Sequence, residues 1–170
     1  NFISYGLALN PSSKFIHLSY SDDLAHDNSE EIRDIVKSEE YQRLFPYVQI
    51  KRGTDSKKKW NTTAGGGVYA VSTGGQITGF GAGEVDDIDD KEIGAEIDSI
   101  SKEARFAGAI VIDDPIKPED ALSDVKREKI NQRFETTIRN RVNSRNTPII
   151  IIMQRLHEND LCGYLMKTEP

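Results

Sequence analysis

Two adjacent carboxylates at the end of an apolar run are the first place in this sequence where chemistry could sit. Gly108-Ala109-Ile110-Val111-Ile112 leads straight into Asp113-Asp114. Carboxylate oxygens are hard ligands, suited to a cation such as Mg²⁺ that keeps several of its waters and takes one or two protein carboxylates. The string has the form of a Walker B motif, in which Asp113 holds the cation, directly or through water, and Asp114 points the other way and polarises an attacking water. The plain alternative is an Asp-Asp-Pro turn capping the next helix. A second apolar run, Pro148 to Met153, delivers Gln154, Arg155, His157, Glu158 and Asp160 just past its end. Gln154 stands where a polar residue would sense a γ-phosphate; its other role is to cap the strand end. His157-Glu158-Asn159-Asp160 reads as a helix N-cap with acids in the first turn. Joined to Asp113 and Asp114, His157 and Asp160 would instead make the metal cluster of a phosphodiesterase.

A third segment, Gly79-Phe80-Gly81-Ala82-Gly83, has the composition of a phosphate cradle. No Lys-Ser or Lys-Thr follows it, so it is not the G-x-x-x-x-G-K-[ST] loop, and that loop occurs nowhere in the chain. Its alternative is a loop whose backbone passes tightly under a neighbour.

These residues need strands to carry them. Lys14 to Ser21 reads as a buried strand, and Ser21-Asp22-Asp23 is good cap chemistry for a helix that runs to Ser38. Tyr41 to Phe45 is a helical turn stopped by Pro46. Val48 to Lys51, Lys59 to Ala64 and Gly67 to Ser72 are strand-like, with Gly65-Gly66 as a tight turn, which predicts a small antiparallel insert. Gly108 to Asp113 is too short and too apolar for anything but a central parallel strand. Pro118-Glu119-Asp120 opens a long helix with Leu122, Val125, Ile130, Phe134, Ile138 and Val142 as its buried stripe. Pro148 to Met153 is a second fully buried strand, followed by a helix from about Glu158. Strand and helix in alternation predict an α/β fold with a mainly parallel sheet. At the start of the chain, Phe2, Tyr5 and Leu9 recur at helical spacing before Asn10-Pro11, as in the tail of a helix that begins further upstream.

The 170 residues suit one domain. The longest apolar runs fall far short of the roughly 20 residues that cross a bilayer. A single cysteine, Cys162, makes no internal disulfide, which suits a reducing, cytoplasmic setting. Net charge is −6, but Glu84 to Asp98 holds eight acids and one base, so the rest of the chain is near neutral. Such a window is expected to be a solvated surface excursion. Two basic stretches, Lys51 to Lys59 and Lys126 to Arg145, are open to polynucleotide contact or to a solvated surface.

Six ordered blocks together resemble the ATPase domain of the large terminase subunit of tailed bacteriophages and prophages. They are Ile16 to Ala25, Ser38 to Pro46, Trp60 to Thr63, Gly74 to Ala82, Ile112 to Lys117 with Ala121 and Ser123, and Gln154 to Gly163. The resemblance implies a P-loop NTPase fold of the ASCE type, with Asp113 on the metal and with Asp114 and Gln154 catalytic. It implies ATP and Mg²⁺ as cofactors and double-stranded DNA, a portal protein and a small terminase subunit as partners. A homo-oligomeric ring in the host bacterial cytoplasm follows from the same likeness, with no membrane component. Residues 1–170 would then be a fragment of the ATPase domain, with the P-loop ahead of Asn1 and a nuclease domain after Pro170, and inactive alone. Residues 84–106 would be an acidic insertion. Gln154 stands where relatives often carry Thr, and Asp114 where nucleotide motors often carry Glu. Arg33, Arg43 and Arg52 lie where an arginine acting on a neighbouring subunit would arise, though each also suits a surface ion pair. Beside the motor stand two other readings, the metal-dependent phosphodiesterase and a non-catalytic interaction module.

Overall fold

A computed structural model of the chain describes residues 2–77, 79–83, 106–144 and 146–169. Nearly all of the expected insertion at 84–106, the acidic window included, lies outside the described residues. Helix α1 (Phe2–Leu9) buries Ile3, Leu7 and Ala8 and leaves Phe2, Tyr5 and Leu9 exposed, so the helical spacing of those three marks its outer face. Strand β1 (Lys14–Ser19) feeds α2 (Asp22–Lys37), whose N-cap Ser21 accepts from the Leu24 N–H at 3.2 Å. Asp22 and Asp23 in its first turn complement the positive end of the helix dipole. Ser38 closes α2 and caps α3 (Glu39–Leu44).

Five strands form one sheet in the order β2-β3-β1-β4-β5, where β2 is Lys59–Asn61, β3 Gly67–Ser72, β4 Gly108–Asp113 and β5 Ile149–Ile152. All neighbours are parallel except β2 and β3. The expected antiparallel insert thus shrinks to one short edge strand, because β3 joins the main sheet beside β1. Odd positions of β1 and β4 face one core with α1 and α2, built on Phe15, Trp60, Val68, Ala109 and Val111. Even positions face a second core with Ile16, Leu18, Ile110, Ile112, Phe134 and Leu161. The chain is therefore α/β, with a mostly parallel sheet flanked by helices.

Two expectations need correction. The long helix after Pro118 is broken into a 3₁₀ turn (Pro118–Asp120), α4 (Asp124–Arg133), a π-helical turn (Phe134–Ile138) and a second 3₁₀ turn (Arg139–Arg141). Leu122 and Val125 are 79% and 78% exposed, while Arg127 and Asn131 are buried. Polar residues turn inward here because they have carbonyls to satisfy: Arg127 donates to Ala121 O at 2.5 Å and Asn131 to Asn159 O at 3.3 Å. The wider π turn then re-phases the helix so that Phe134 and Ile138 reach the core. The second correction is β5, expected to be fully buried. It is an edge strand among the described residues, half-buried, with Ile152 54% exposed. The last helix, α5, runs over Leu161–Thr168, a few residues later than its first acids suggest.

Candidate functional site

The carboxyl ends of β3, β1, β4 and β5 line up along one edge of the sheet, where ligands of open α/β sheets bind. Ser72 pairs with Ser19, and Asp113 with Ile152. Leu18 pairs with Ile112, so Ser19 and Asp113 are the next in-register neighbours, on strands spaced about 4.8 Å apart. Side chains in register share a face. Asp113 therefore stands on the face of His17 and Ser19, and is partly buried.

Asp114 leaves the strand abruptly. Its backbone has φ of 47°, the one described non-glycine residue in the left-handed region, and its side chain is exposed. Asp tolerates that region better than most residues, yet such conformations cost on the order of 1 kcal/mol and cluster at ligand clamps and active sites. The turn is held from three sides. Asp114 N–H donates to Ile152 O at 2.9 Å, Thr73 Oγ1 donates to Pro115 O at 2.9 Å, and the Lys117 ammonium sits 5.5 Å from the centre of the Tyr20 ring. Thr73 is itself fixed by donating its N–H to Ser19 O at 2.7 Å.

Burial first, and the neighbouring Asp114 charge second, push the Asp113 carboxyl above its ordinary value. No described cation pairs with either aspartate. One partly buried carboxylate without a cationic partner, Asp113, is a donor for a divalent cation that keeps most of its water, and it fits Mg²⁺ on that chemistry. Gln154, exposed and two residues past the end of β5, shares the same sheet edge; no bond between described residues joins it to either carboxylate.

Asp160 and His157 do not join them. The Asp160 side chain is fully buried and accepts from Gly163 N–H at 2.9 Å as the N-cap of α5. It accepts further from Leu156 N–H at 3.0 Å, His157 N–H at 3.2 Å and Arg155 Nε at 3.0 Å. Burial works to raise its pKa, and these bonds outweigh that and lower it. His157 Nδ1 accepts from Asn159 N–H at 3.1 Å. Among the described residues no three His, Cys, Asp or Glu converge as a metal group. The four-residue cluster of the phosphodiesterase reading is thus absent, because helix capping consumes Asp160.

The glycine-rich segment is also consumed by packing. Ala82 N–H donates to Arg141 O and Asn143 N–H to Ala82 O, both at 2.8 Å, and Gly83 N–H donates to Lys14 O at 3.1 Å. A Cβ on Gly81 would land on the Asn143 amide, and one on Gly83 on the Thr147 hydroxyl. Gly83 also has φ of 83°. The Ala82 and Gly83 amides are thus spent on protein carbonyls and are not free to cradle a phosphate. The described residues fit a hydrated cation and do not by themselves fit ATP.

Much of the basic character is spent internally. Lys57 pairs with Glu30 at 2.5 Å, Arg33 and Lys37 with Asp55 at 3.1 and 2.5 Å, and Arg139 with Glu135 at 3.1 Å. Lys126 pairs with Asp120, Arg127 with Asp124, and Arg133 donates to Gly75 O. Of the three arginines singled out above, Arg33 is committed to Glu30 and Asp55, while Arg43 and Arg52 are exposed. Lys51, Arg52 and Lys58 remain exposed on the loop before β2. No described helix is long and apolar enough to cross a membrane.

Sequence reasoning passed over Thr73 and Ser19. Thr73 sits inside a stretch read only for its glycines. Ser19 and His17 are polar residues on an otherwise apolar strand, a signal that was available. No family model matches the chain, and no curated protein matches it.

Proposed function

We propose that this chain is part of a P-loop-type ATPase core of a phage DNA-packaging terminase, in which Asp113 holds Mg²⁺ and Asp114 acts on the attacking water. The observation that carries the reading is the pair itself: a central parallel strand ending in a partly buried, unpaired Asp113 followed by a left-handed, exposed Asp114. A turn that only capped a helix would not need strain at Asp114. The 3₁₀ turn at Pro118–Asp120 has Lys117 at its N-cap and α4 has Ser123, so Asp114 caps neither.

In this reading Asp113 binds the cation from the interior face of the sheet. Asp114, turned to the other side, accepts a proton from the water, and Gln154 reads the phosphate from the neighbouring strand end. Bound Mg²⁺ supplies neutralisation of developing phosphate charge. The phosphates themselves would be held by residues beyond those described. The outer edge of β5 offers a place for them. Four isoleucines in a parallel strand are the pattern of a strand covered on both sides. A further strand pairing with that edge would bring a phosphate loop at its carboxyl end beside Gln154. Double-stranded DNA, the portal protein, the small subunit, a ring of copies and the bacterial cytoplasm belong to the same proposal, resting on the six sequence blocks.

The test uses the two carboxylates in the intact terminase. Asn is as much at home as Asp in the left-handed region, so Asp114→Asn changes the chemistry and leaves the turn intact. It should spare nucleotide binding and lower hydrolysis by about 10²-fold or more. Asp113→Asn should weaken Mg²⁺-nucleotide binding itself. If Asp114→Asn lowers the melting temperature and leaves turnover unchanged, Asp114 is a capping residue and the proposal fails.

A further inference from the structure

Ser19 has no structural task for its hydroxyl. It is completely buried, and Ser19 Oγ is the one buried hydroxyl among the described residues without a hydrogen-bond partner. The other buried hydroxyls show what a structural one does here. Ser29 Oγ accepts from Trp60 Nε1 at 3.1 Å, Thr62 Oγ1 donates to Pro11 O at 2.6 Å, and Thr73 holds Pro115. An unpaired buried hydroxyl costs about 1–3 kcal/mol, and alanine would fill the position without that cost.

Its place explains it. The β1–β4 register runs to Leu18–Ile112; Ser19 and Asp113 are the next residue of each strand, and by strand alternation both lie on the face opposite Leu18 and Ile112. Asp113, too, receives no hydrogen bond from a described residue. His17, two residues back on the same face, adds a second orphan. Its Nε2 lies 3.2 Å from Asn28 Nδ2, and its Nδ1 is buried without a partner among the described residues. Unspent polar groups thus form a seam that ends at the carboxylate. The Ser19 backbone is pinned by Thr73, so rotation about χ1 alone re-aims the hydroxyl.

We propose that Ser19 is a positioning residue for Asp113, its hydroxyl donating to the carboxylate oxygen turned away from a divalent cation that Asp113 binds. This rests on the reading of Asp113 as a cation ligand. A bond of this kind fixes the rotamer of the ligating carboxylate, and outer partners of metal ligands are typically worth 10–100-fold in affinity.

Mn²⁺ alone is the probe, titrated into the 170-residue chain with the free ion read by electron paramagnetic resonance, and with melting temperatures taken without metal. Ser19→Ala should weaken Mn²⁺ binding by about 10-fold while leaving the melting temperature unchanged or raised, since it removes an unsatisfied polar group. Ser19→Thr, which keeps the hydroxyl, should bind within about threefold of the unaltered chain. Ser19→Cys keeps the volume with a weak donor and should fall with the alanine variant; it supplies the comparison if Ser19→Ala does not fold. Asp113→Asn should abolish binding. If Asp113→Asn loses Mn²⁺ and Ser19→Ala binds as the unaltered chain does, the role of Ser19 is refuted and that of Asp113 stands. If the unaltered chain and Asp113→Asn behave alike, Asp113 does not bind the free cation and the role of Ser19 falls with it, while the ATPase reading stands or falls on nucleotide binding by Asp113→Asn in the intact protein.

Discussion

Asp160 offers the sharpest separation between a structural carboxylate and a metal ligand. Asp160→Ala removes the N-cap of α5, worth about 1 kcal/mol. It also leaves the Leu156 and His157 N–H groups without their acceptor, at about 1 kcal/mol each. The Arg155 partner is about half exposed, so its ion pair adds at most about 0.5–1 kcal/mol. The total is about 3–4 kcal/mol, which for a chain of this length lowers the melting temperature by roughly 6–15 °C. Asp160→Asn keeps the oxygen that caps Gly163 and should lose about half as much. The pKa of Asp160 lies below its ordinary 3.8 in the folded chain, so the unfolded chain binds the proton more readily. This stabilisation is therefore present above the ordinary value and disappears as pH falls through the depressed one. The gap between the chain and Asp160→Asn should close in strong acid. Thermal melting by circular dichroism between pH 2 and 7, assisted by Mn²⁺ titration at neutral pH, reads all of this. An Asp160→Ala chain that melts within about 1 °C of the original and no longer binds Mn²⁺ would overturn the capping account.

Three further outcomes are expected. Thr73→Val orphans the Pro115 carbonyl and should lower stability in urea by about 1–3 kcal/mol, with Thr73→Ser restoring it; equal stability of all three would show that the clamp on the Asp114 turn is idle. Gly79→Ala meets open space and bears only its left-handed backbone, about 1–2 kcal/mol, whereas Gly83→Ala adds a collision with Thr147 and should lose clearly more; the reverse order would refute the tight passage of this loop. Burial pushes His17 down from 6.5 to about 4, so the folded chain resists its protonation, and stability should fall by up to about 3 kcal/mol as pH drops from 6.5 to 4. His17→Gln should flatten that slope, and an unchanged slope would assign it to other groups.

Local chemistry alone was enough to read the alternation of strands and helices in this chain. Ser21 announces a helix start, and the apolar runs Gly108 to Asp113 and Pro148 to Met153 read as strands, which the sheet carries at Gly108–Asp113 and Ile149–Ile152. The pair Asp113-Asp114 was equally legible, because its meaning lies in two adjacent residues and the strand before them. Tertiary structure decided what depends on who stands beside whom. Periodicity assigned Leu122 and Val125 to a buried stripe, but carbonyls at Ala121 and Asn159 drew Arg127 and Asn131 inward instead. Four isoleucines promised a fully buried strand, and strand order put them on an edge among the described residues. Composition gave the 79–83 segment the look of a phosphate loop while the missing Lys-Ser or Lys-Thr favoured a tight passage; the Asn143 and Thr147 side chains lying against Gly81 and Gly83 bear out the passage. Asp160 could bind a metal or cap a helix until the amides of Leu156, His157 and Gly163 were found around it. Ser19 became visible only through the parallel register of β1 and β4, whose last pair, Leu18 and Ile112, stands just before Ser19 and Asp113. A sequence states which groups a residue could satisfy, and the fold selects among them by fixing which groups come within bonding distance.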